Sequence, residues 1–282
     1  MTRRQAVGGL VLVCLVWGVT FTVVKQALDH VSPLLLLGAR FTLATAVIAP
    51  SLRGATPTEL RGGLILGLLF WIGFAFQTFG LQYTTPSRSA FITILSTPLV
   101  PLVHFAVSRT LPRLPTLVAI CVAVGGTYLL TSPAGGAGLN RGDVLTLGCA
   151  AVFAGQIVAA GHFAPRIPIR RLLAIELGTT AILSLVTSPV LETPRFEPSA
   201  TVLLIVLFLA LTGLWSFDMQ LRAQRVLSPT QAALVFTLEP VFASVTSYLA
   251  LGERLTAVQL AGAALILTAI ATPAFERQTA TA

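Results

Sequence analysis

Two stretches decide how this chain reads: TPSRSAFITILSTPLV at residues 85–100 and SPTQAALVFTLEPVFA at residues 228–243. Each opens on a hydroxyl side chain and a proline (Thr85-Pro86, Ser228-Pro229), runs on through apolar residues and meets a second proline (Pro98, Pro240). Gln77 lies nine residues before Pro86, and Gln220 nine before Pro229. The copies are about 142 residues apart in a chain of 282, so each half is one repeat. Residues 1–137 form the first and 138–282 the second.

Working outward, apolar runs long enough to span a bilayer, which takes about 20 residues, fall near 7–27, 34–52, 62–82, 87–107, 115–132, 142–162, 170–190, 200–221, 229–250 and 256–274. The linkers are short and punctuated by Gly and Pro, among them Gly54, Pro57, Pro112, Pro133, Gly135-Gly136, Pro168 and Pro194. The fold class expected is an all-α integral membrane protein of ten transmembrane helices, arranged as two inverted five-helix repeats. Five is odd, so the second copy enters the membrane from the opposite side, an arrangement found in many secondary transporters.

Composition agrees. Charged residues make up 10% of the chain and mean hydropathy is +0.88, whereas a soluble domain carries roughly a quarter charged residues. Lipid is the expected solvent. The net charge of +8 does not mark a nucleic-acid binder, because the basic residues are scattered between apolar runs. They read as topology signals. With the N-terminus in the cytoplasm, the inner segments hold Arg3, Arg4, Arg53, Arg61, Arg109, Arg113, Arg166, Arg170, Arg171, Arg222, Arg225 and Arg277. The outer ones hold Lys25, Arg88, Arg141, Arg195 and Arg254. Both termini are expected to be cytoplasmic. Cys14, Cys121 and Cys149 read as free thiols in apolar runs. No metal cluster, nucleotide-binding loop or cofactor motif is present, and Arg3-Arg4 opens a retained first span rather than a cleaved signal.

Several motifs then resemble the EamA-type transporters of the drug/metabolite transporter superfamily. They are Val16-Trp17-Gly18-Val19-Thr20-Phe21, Ser32-Pro33 with Ala39-Arg40-Phe41, Gly142-Asp143, and Leu238-Glu239-Pro240-Val241-Phe242 followed by Leu251-Gly252-Glu253-Arg254-Leu255, Gln259 and Gly262. The resemblance covers nearly the whole chain. It implies a ten-helix exporter or exchanger of metabolites, often amino acids, with a central cavity between the halves; the expected location is a bacterial inner membrane. One departure stands out. The first copy often carries a Gly-Glu pair after its fourth helix, and here that region reads Ser108-Arg109-Thr110-Leu111-Pro112.

Polar groups inside a bilayer are costly and usually face a partner or a cavity. Glu239, beside Pro240, is either a site for a substrate ammonium or proton, or a structural carboxylate. Arg40 either binds a substrate carboxylate or pairs with an acid; Glu176 occupies the equivalent place in the second repeat and is the natural partner. Gln77, Gln156 and Gln220 either contact a neutral or zwitterionic substrate or join helices. Trp17, Trp71 and Trp215 fall within spans, and Trp71/Trp215 and Phe74/Phe217 nearly coincide in the repeat. Asp218 and Arg222 are spaced for a salt bridge on one helix, Lys25 for snorkelling to the interface. Pro98, Pro101 and Pro240 are expected to bend their helices. The candidate substrate-binding set is Trp17, Thr20, Arg40, Phe74, Gln77, Gln156, Trp215, Gln220 and Glu239, with no catalytic or metal site.

The expected function is alternating-access export or equilibration of amino acids or related small metabolites through a midplane cavity. The expected partners are a small-molecule substrate and the lipid bilayer, with protons as a candidate coupling ion and no nucleic acid. The alternatives are export of hydrophobic drugs or cations, and a polytopic membrane enzyme acting on lipids, which would need a polar catalytic cluster.

Overall fold

A computed structural model describes residues 1–109, 114–131, 140–252, 254 and 256–271. The expected repeat boundary, Thr110, Leu111, Pro112, Arg113, Pro133, Gly135-Gly136, Glu253, Leu255 and Arg277 lie outside the described residues. The described chain is helical: α1 (Arg3–Ala27), α2 (Pro33–Ile48) extended by a tight turn (Ala49–Leu52), α3 (Pro57–Tyr83), α4 (Pro86–Thr93), α5 (Ser96–Ser108), α6 (Leu114–Thr131), α7 (Arg141–Phe163), α8 (Ile169–Leu191), α9 (Ala200–Ala223), α10 (Pro229–Phe236), α11 (Glu239–Leu251) and α12 (Ala257–Ala271). Where ten spans were expected, eight helical stretches among the described residues are long and apolar enough to cross a membrane. α4 with α5 makes one of them, and α10 with α11 another. The two not counted are α6 and α12. At 1.5 Å per residue, the 15 described residues of α12 give about 22 Å, short of the ~30 Å hydrocarbon core.

Local chemistry sets the helix starts. Thr2 with Gln5, Thr56 with Glu59, Asn140 with Asp143 and Ser228 with Gln231 form reciprocal capping boxes, which satisfy N–H groups that the first turn leaves unpaired. Pro33, Pro57, Pro86, Pro229 and Pro240 stand in first turns, where a missing N–H costs nothing.

The repeat survives in register. Pro57 and Ala200, Pro86 and Pro229, Ser96 and Glu239 open equivalent helices 143 residues apart. Both long fourth spans break at the same place, after Thr93 and after Phe236. The bends therefore lie before Pro98 and Pro240 rather than at them. Each proline lacks the N–H that would bond the carbonyl four residues earlier, at Ile94 and at Phe236. The chain tightens instead, with Thr97 N donating to Ile94 O at 2.8 Å and Leu238 N to Val235 O at 3.1 Å. Pro101 sits inside α5.

The halves run in opposite senses. At the end where α1 begins, Gly9 meets Met219 near the end of α9. There Arg225 donates to the carbonyls of Ala164 and Ile167, both at 2.8 Å, and Arg171 pairs with Glu59 at 3.0 Å. At the other end, where α7 begins, Arg88 pairs with the fully buried Asp143 at 2.7 Å, and Thr84 donates to the same carboxylate at 3.0 Å. Lys25 does not simply snorkel there; its Nζ donates to Leu81 O at 2.6 Å, closing the last turn of α3. Asp218 and Arg222 form the expected i,i+4 pair.

Close packing across the halves depends on α3. A Cβ at Gly62, Gly63 or Gly67 would lie 2.7 Å from Ile167 Cδ1, 2.5 Å from Ile175 Cβ and 2.5 Å from Thr179 Cβ, while Gly73 meets Phe153 and Gly80 meets Thr146. These small residues let α3 lie directly on α7 and α8, as membrane helices require in the absence of a hydrophobic drive between them. The equivalents in α9 are Ile205, Val206, Ala210, Ser216 and Ala223, and α9 packs less extensively on α1 and α2.

Candidate functional site

Between the halves lies a cavity of about 740 Å³, its open mouth included. Residues of α1, α2, α3, α7, α9 and both broken spans line it. Eight of the nine candidate residues stand on its wall: Trp17, Thr20, Arg40, Phe74, Gln77, Gln156, Gln220 and Glu239. Trp215 does not. It is 40% exposed on α9 and faces away from the cavity that its chain neighbours Gly213 and Phe217 line. Its near coincidence with Trp71 in the repeat carried no information about direction.

The walls are mostly aromatic. Phe70, Phe74, Phe153 and Phe217 form one cluster with centroids 4.5–6.3 Å apart, edge to face except for the tilted pair Phe70–Phe153, and Phe41 joins it from α2. Trp17 sits between Phe217 at 5.6 Å and Phe236 at 5.2 Å. Of these rings, Phe41, Phe70, Phe153 and Phe236 were not among the expected site residues. A signal for two of them, Phe153 and Phe236, was present. Trp17 and Thr20, Phe74 and Gln77, Phe153 and Gln156, Phe217 and Gln220, Phe236 and Glu239 are each three residues apart. That spacing puts ring and polar group on one helix face; in the last pair the helix breaks between them.

The polar groups divide into those that are bonded and those that are not. Gln156 Nε2 donates to Glu176 Oε1 at 2.9 Å, and Gln156 Oε1 accepts from Gln220 Nε2 at 3.3 Å. Gln220 Nε2 also reaches Gln224 Oε1 at 3.3 Å, and Gln224 donates to Ile157 O at 2.8 Å. Gln77 donates to Thr93 at 3.3 Å, and Thr20 to Trp17 O at 2.8 Å. The ion pair expected between Arg40 and Glu176 is not formed: Glu176 holds Gln156 and leaves its Oε2 without a partner. Arg40 instead places its guanidinium over Phe41 and Phe74, 4.5 and 4.7 Å from the ring centroids. Glu239 is the first residue of α11, directly after the break, rather than mid-helix. A helix N-terminus carries partial positive charge, which favours a carboxylate there. Ser96, its counterpart at the start of α5, lines the cavity too. Among the described residues there is no cluster of three or more His, Cys, Asp or Glu that could hold a metal.

Comparison with known proteins adds the family. The model of the EamA-like transporter family matches twice, over residues 5–132 and 140–272. An uncharacterized transporter of Archaeoglobus fulgidus is 35% identical over 269 residues, spanning 95% of this chain and 85% of that protein. A protein named as a probable amino-acid metabolite efflux pump in Salmonella typhimurium is 29% identical over 298 residues, spanning 96% and 94%. A solved crystal structure superposes with a TM-score of 0.75 at 22% identity over 96% of both chains, a likeness of fold alone.

Proposed function

Because the chain belongs to the EamA-like transporter family, we propose that it is a secondary transporter that exports or equilibrates amino acids or related small metabolites by alternating access through this cavity. It is a multi-pass membrane transporter rather than an enzyme, by its family and by the names of its relatives. The finer reading has ten spans in two inverted halves, residues 1–137 and 138–282, in a bacterial inner membrane with both termini cytoplasmic.

The observation that carries the proposal is the cavity itself. Both halves build its wall, and both broken helices end on it, at Ile94 and Ser96 and at Phe236 and Glu239. Discontinuous helices meeting at a site between repeats are the means by which many secondary transporters bind a substrate and switch its exposure. The substrate-binding residues proposed are Trp17, Thr20, Arg40, Phe74, Gln77, Gln156, Gln220 and Glu239. The relative named for amino-acid metabolite efflux favours amino acids over hydrophobic drugs or cations. Protons are the proposed coupling ion, with Glu239 as their site.

The test is uptake by proteoliposomes holding the purified protein, with a panel of labelled amino acids, an organic cation and a hydrophobic dye, each with and without a pH gradient. Saturable uptake of amino acids is expected, accelerated by the gradient in wild type and indifferent to it in Glu239→Gln. Uptake confined to the cation or dye would move the function to drug export. Uptake of nothing, with turnover of an added lipid, would move it to an enzyme.

A further inference from the structure

Arg40 and Glu239 are the two formal charges on the cavity wall, and among the described residues each is without a hydrogen-bonding or ionic partner. Arg40 is 6% exposed and Glu239 7%. Among the described residues neither side chain has a hydrogen bond or an ion pair, and Arg40 Nε is buried and unsatisfied. Charges removed from water are costly unless something pairs with them. The neighbouring amides bond elsewhere: Gln77, Gln156, Gln220 and Gln224 donate to Thr93, Glu176, Gln156, Gln224 and the carbonyl of Ile157, and none reaches either charge. Phe41 and Phe74 hold the guanidinium through their faces. Contacts of that kind leave its N–H groups free for a planar anion, for which the guanidinium fork is suited.

Resting on the transport reading above, we infer that the cavity takes a zwitterionic α-amino acid with its carboxylate on Arg40, its ammonium on Glu239 and an uncharged apolar side chain against the rings of Phe70, Phe153 and Phe217. The two charges come from different halves, Arg40 from α2 and Glu239 from α11. A zwitterion held in this way would bridge the repeats and neutralise both. An amine without a carboxylate meets an unpaired Arg40. A carboxylate without an ammonium leaves Glu239 bare. A side chain with a carboxylate meets the electron-rich faces of the rings. The cavity thus selects against the organic cations that a purely aromatic pocket would favour.

The experiment is competition against labelled leucine bound to the purified protein in nanodiscs. Unlabelled leucine and phenylalanine are compared with isoamylamine, which lacks the carboxylate, with 4-methylpentanoate, which lacks the ammonium, and with glutamate. Leucine and phenylalanine should compete best, and every other compound should be weaker by on the order of tenfold to a hundredfold, the scale of one charge-assisted contact. Arg40→Gln should erase the preference for leucine over isoamylamine, and Glu239→Gln the preference over 4-methylpentanoate. Isoamylamine competing as well as leucine in wild type overturns the inference, and that comparison needs no variant to fold. Absence of leucine binding also overturns it. Where the liposomes still take up another solute the transport reading stands, and where they take up nothing both fall.

Discussion

The methyl group that Gly67 lacks would sit 2.5 Å from Thr179 Cβ and 2.8 Å from the carbonyl oxygen of Glu176. Backbone does not yield as a flexible side chain would, so Gly67→Ala should lower stability by about 1–3 kcal/mol. Gly125→Ala, with nothing near its added carbon, should be neutral or gain up to about 1 kcal/mol of helix propensity. Thermal unfolding in detergent compares the two. A second residue runs the other way. Arg109 closes α5 in the left-handed region at φ 59°, where Gly252 closes α11 at φ 70°. The glycine missing from the first copy was thus legible as a departure, and its cost is strain that Arg109→Gly should relieve by about 1 kcal/mol. Sequence alone marked the polar site residues because charges and amides are rare within spans. It left Phe41, Phe70, Phe153 and Phe236 unmarked because phenylalanine is ordinary in a membrane helix; only its recurrence three residues before a polar group set some of them apart. Trp215 failed for the matching reason, since rarity does not say which way a side chain points.

At the scale of elements, the broken spans and one strap matter most. The prolines named the right helices, but the breaks fall up to four residues earlier, where the bond-deprived carbonyls lie. Pro240→Ala returns a donor to Phe236 O and extends one helix through Glu239. The protein should fold and lose transport at least about tenfold, as the helix start that favours the carboxylate is removed; unimpaired transport would show that the break is incidental. The strap joins the α1–α2 and α8–α9 linkers. Glu192 accepts from Leu34 N at 3.0 Å, Leu35 N at 3.1 Å and Ser32 Oγ at 2.8 Å, so it caps α2 from the end of α8. Glu192→Ala should cost about 1–2 kcal/mol, as loss of a helix cap does, and unfolding temperature reads it. Further along, Glu197 bonds His30 and pairs with Arg195. The bond to His30, with Arg195 beside it, holds the Glu197 carboxyl below its usual range. Its contribution is therefore complete in neutral solution and fades only as pH falls through that lowered value. Between about pH 6 and 8, above the ordinary carboxylate range, Glu197→Gln should leave the pH profile of transport unchanged. A profile flattened by it would contradict this assignment. Capping across linkers is invisible in sequence, because the partners are 160 residues apart.

Across the whole molecule, the repeat and the apolar spans were readable from hydropathy and from two matching stretches. The unequal seating of the halves was not. It comes from glycines in α3 whose counterparts in α9 are Ile205, Val206, Ala210, Ser216 and Ala223, a difference that has meaning only once α7 and α8 are seen against α3. In the proposed topology, drawn from the surplus of arginine in alternate linkers, both termini are cytoplasmic, so a reporter active only there should work when fused at either end, and silence at one end would contradict it. Transport in this protein requires that substrate pass through the cavity between the halves. Gly213 lines that cavity, with Phe217 3.4 Å from the position of its missing Cβ. The decisive measurement is proteoliposome uptake by Gly213→Trp, in protein shown to fold by its unfolding temperature. Filling the cavity should abolish uptake without removing any polar group, and uptake at the wild-type rate would mean that the substrate takes another path.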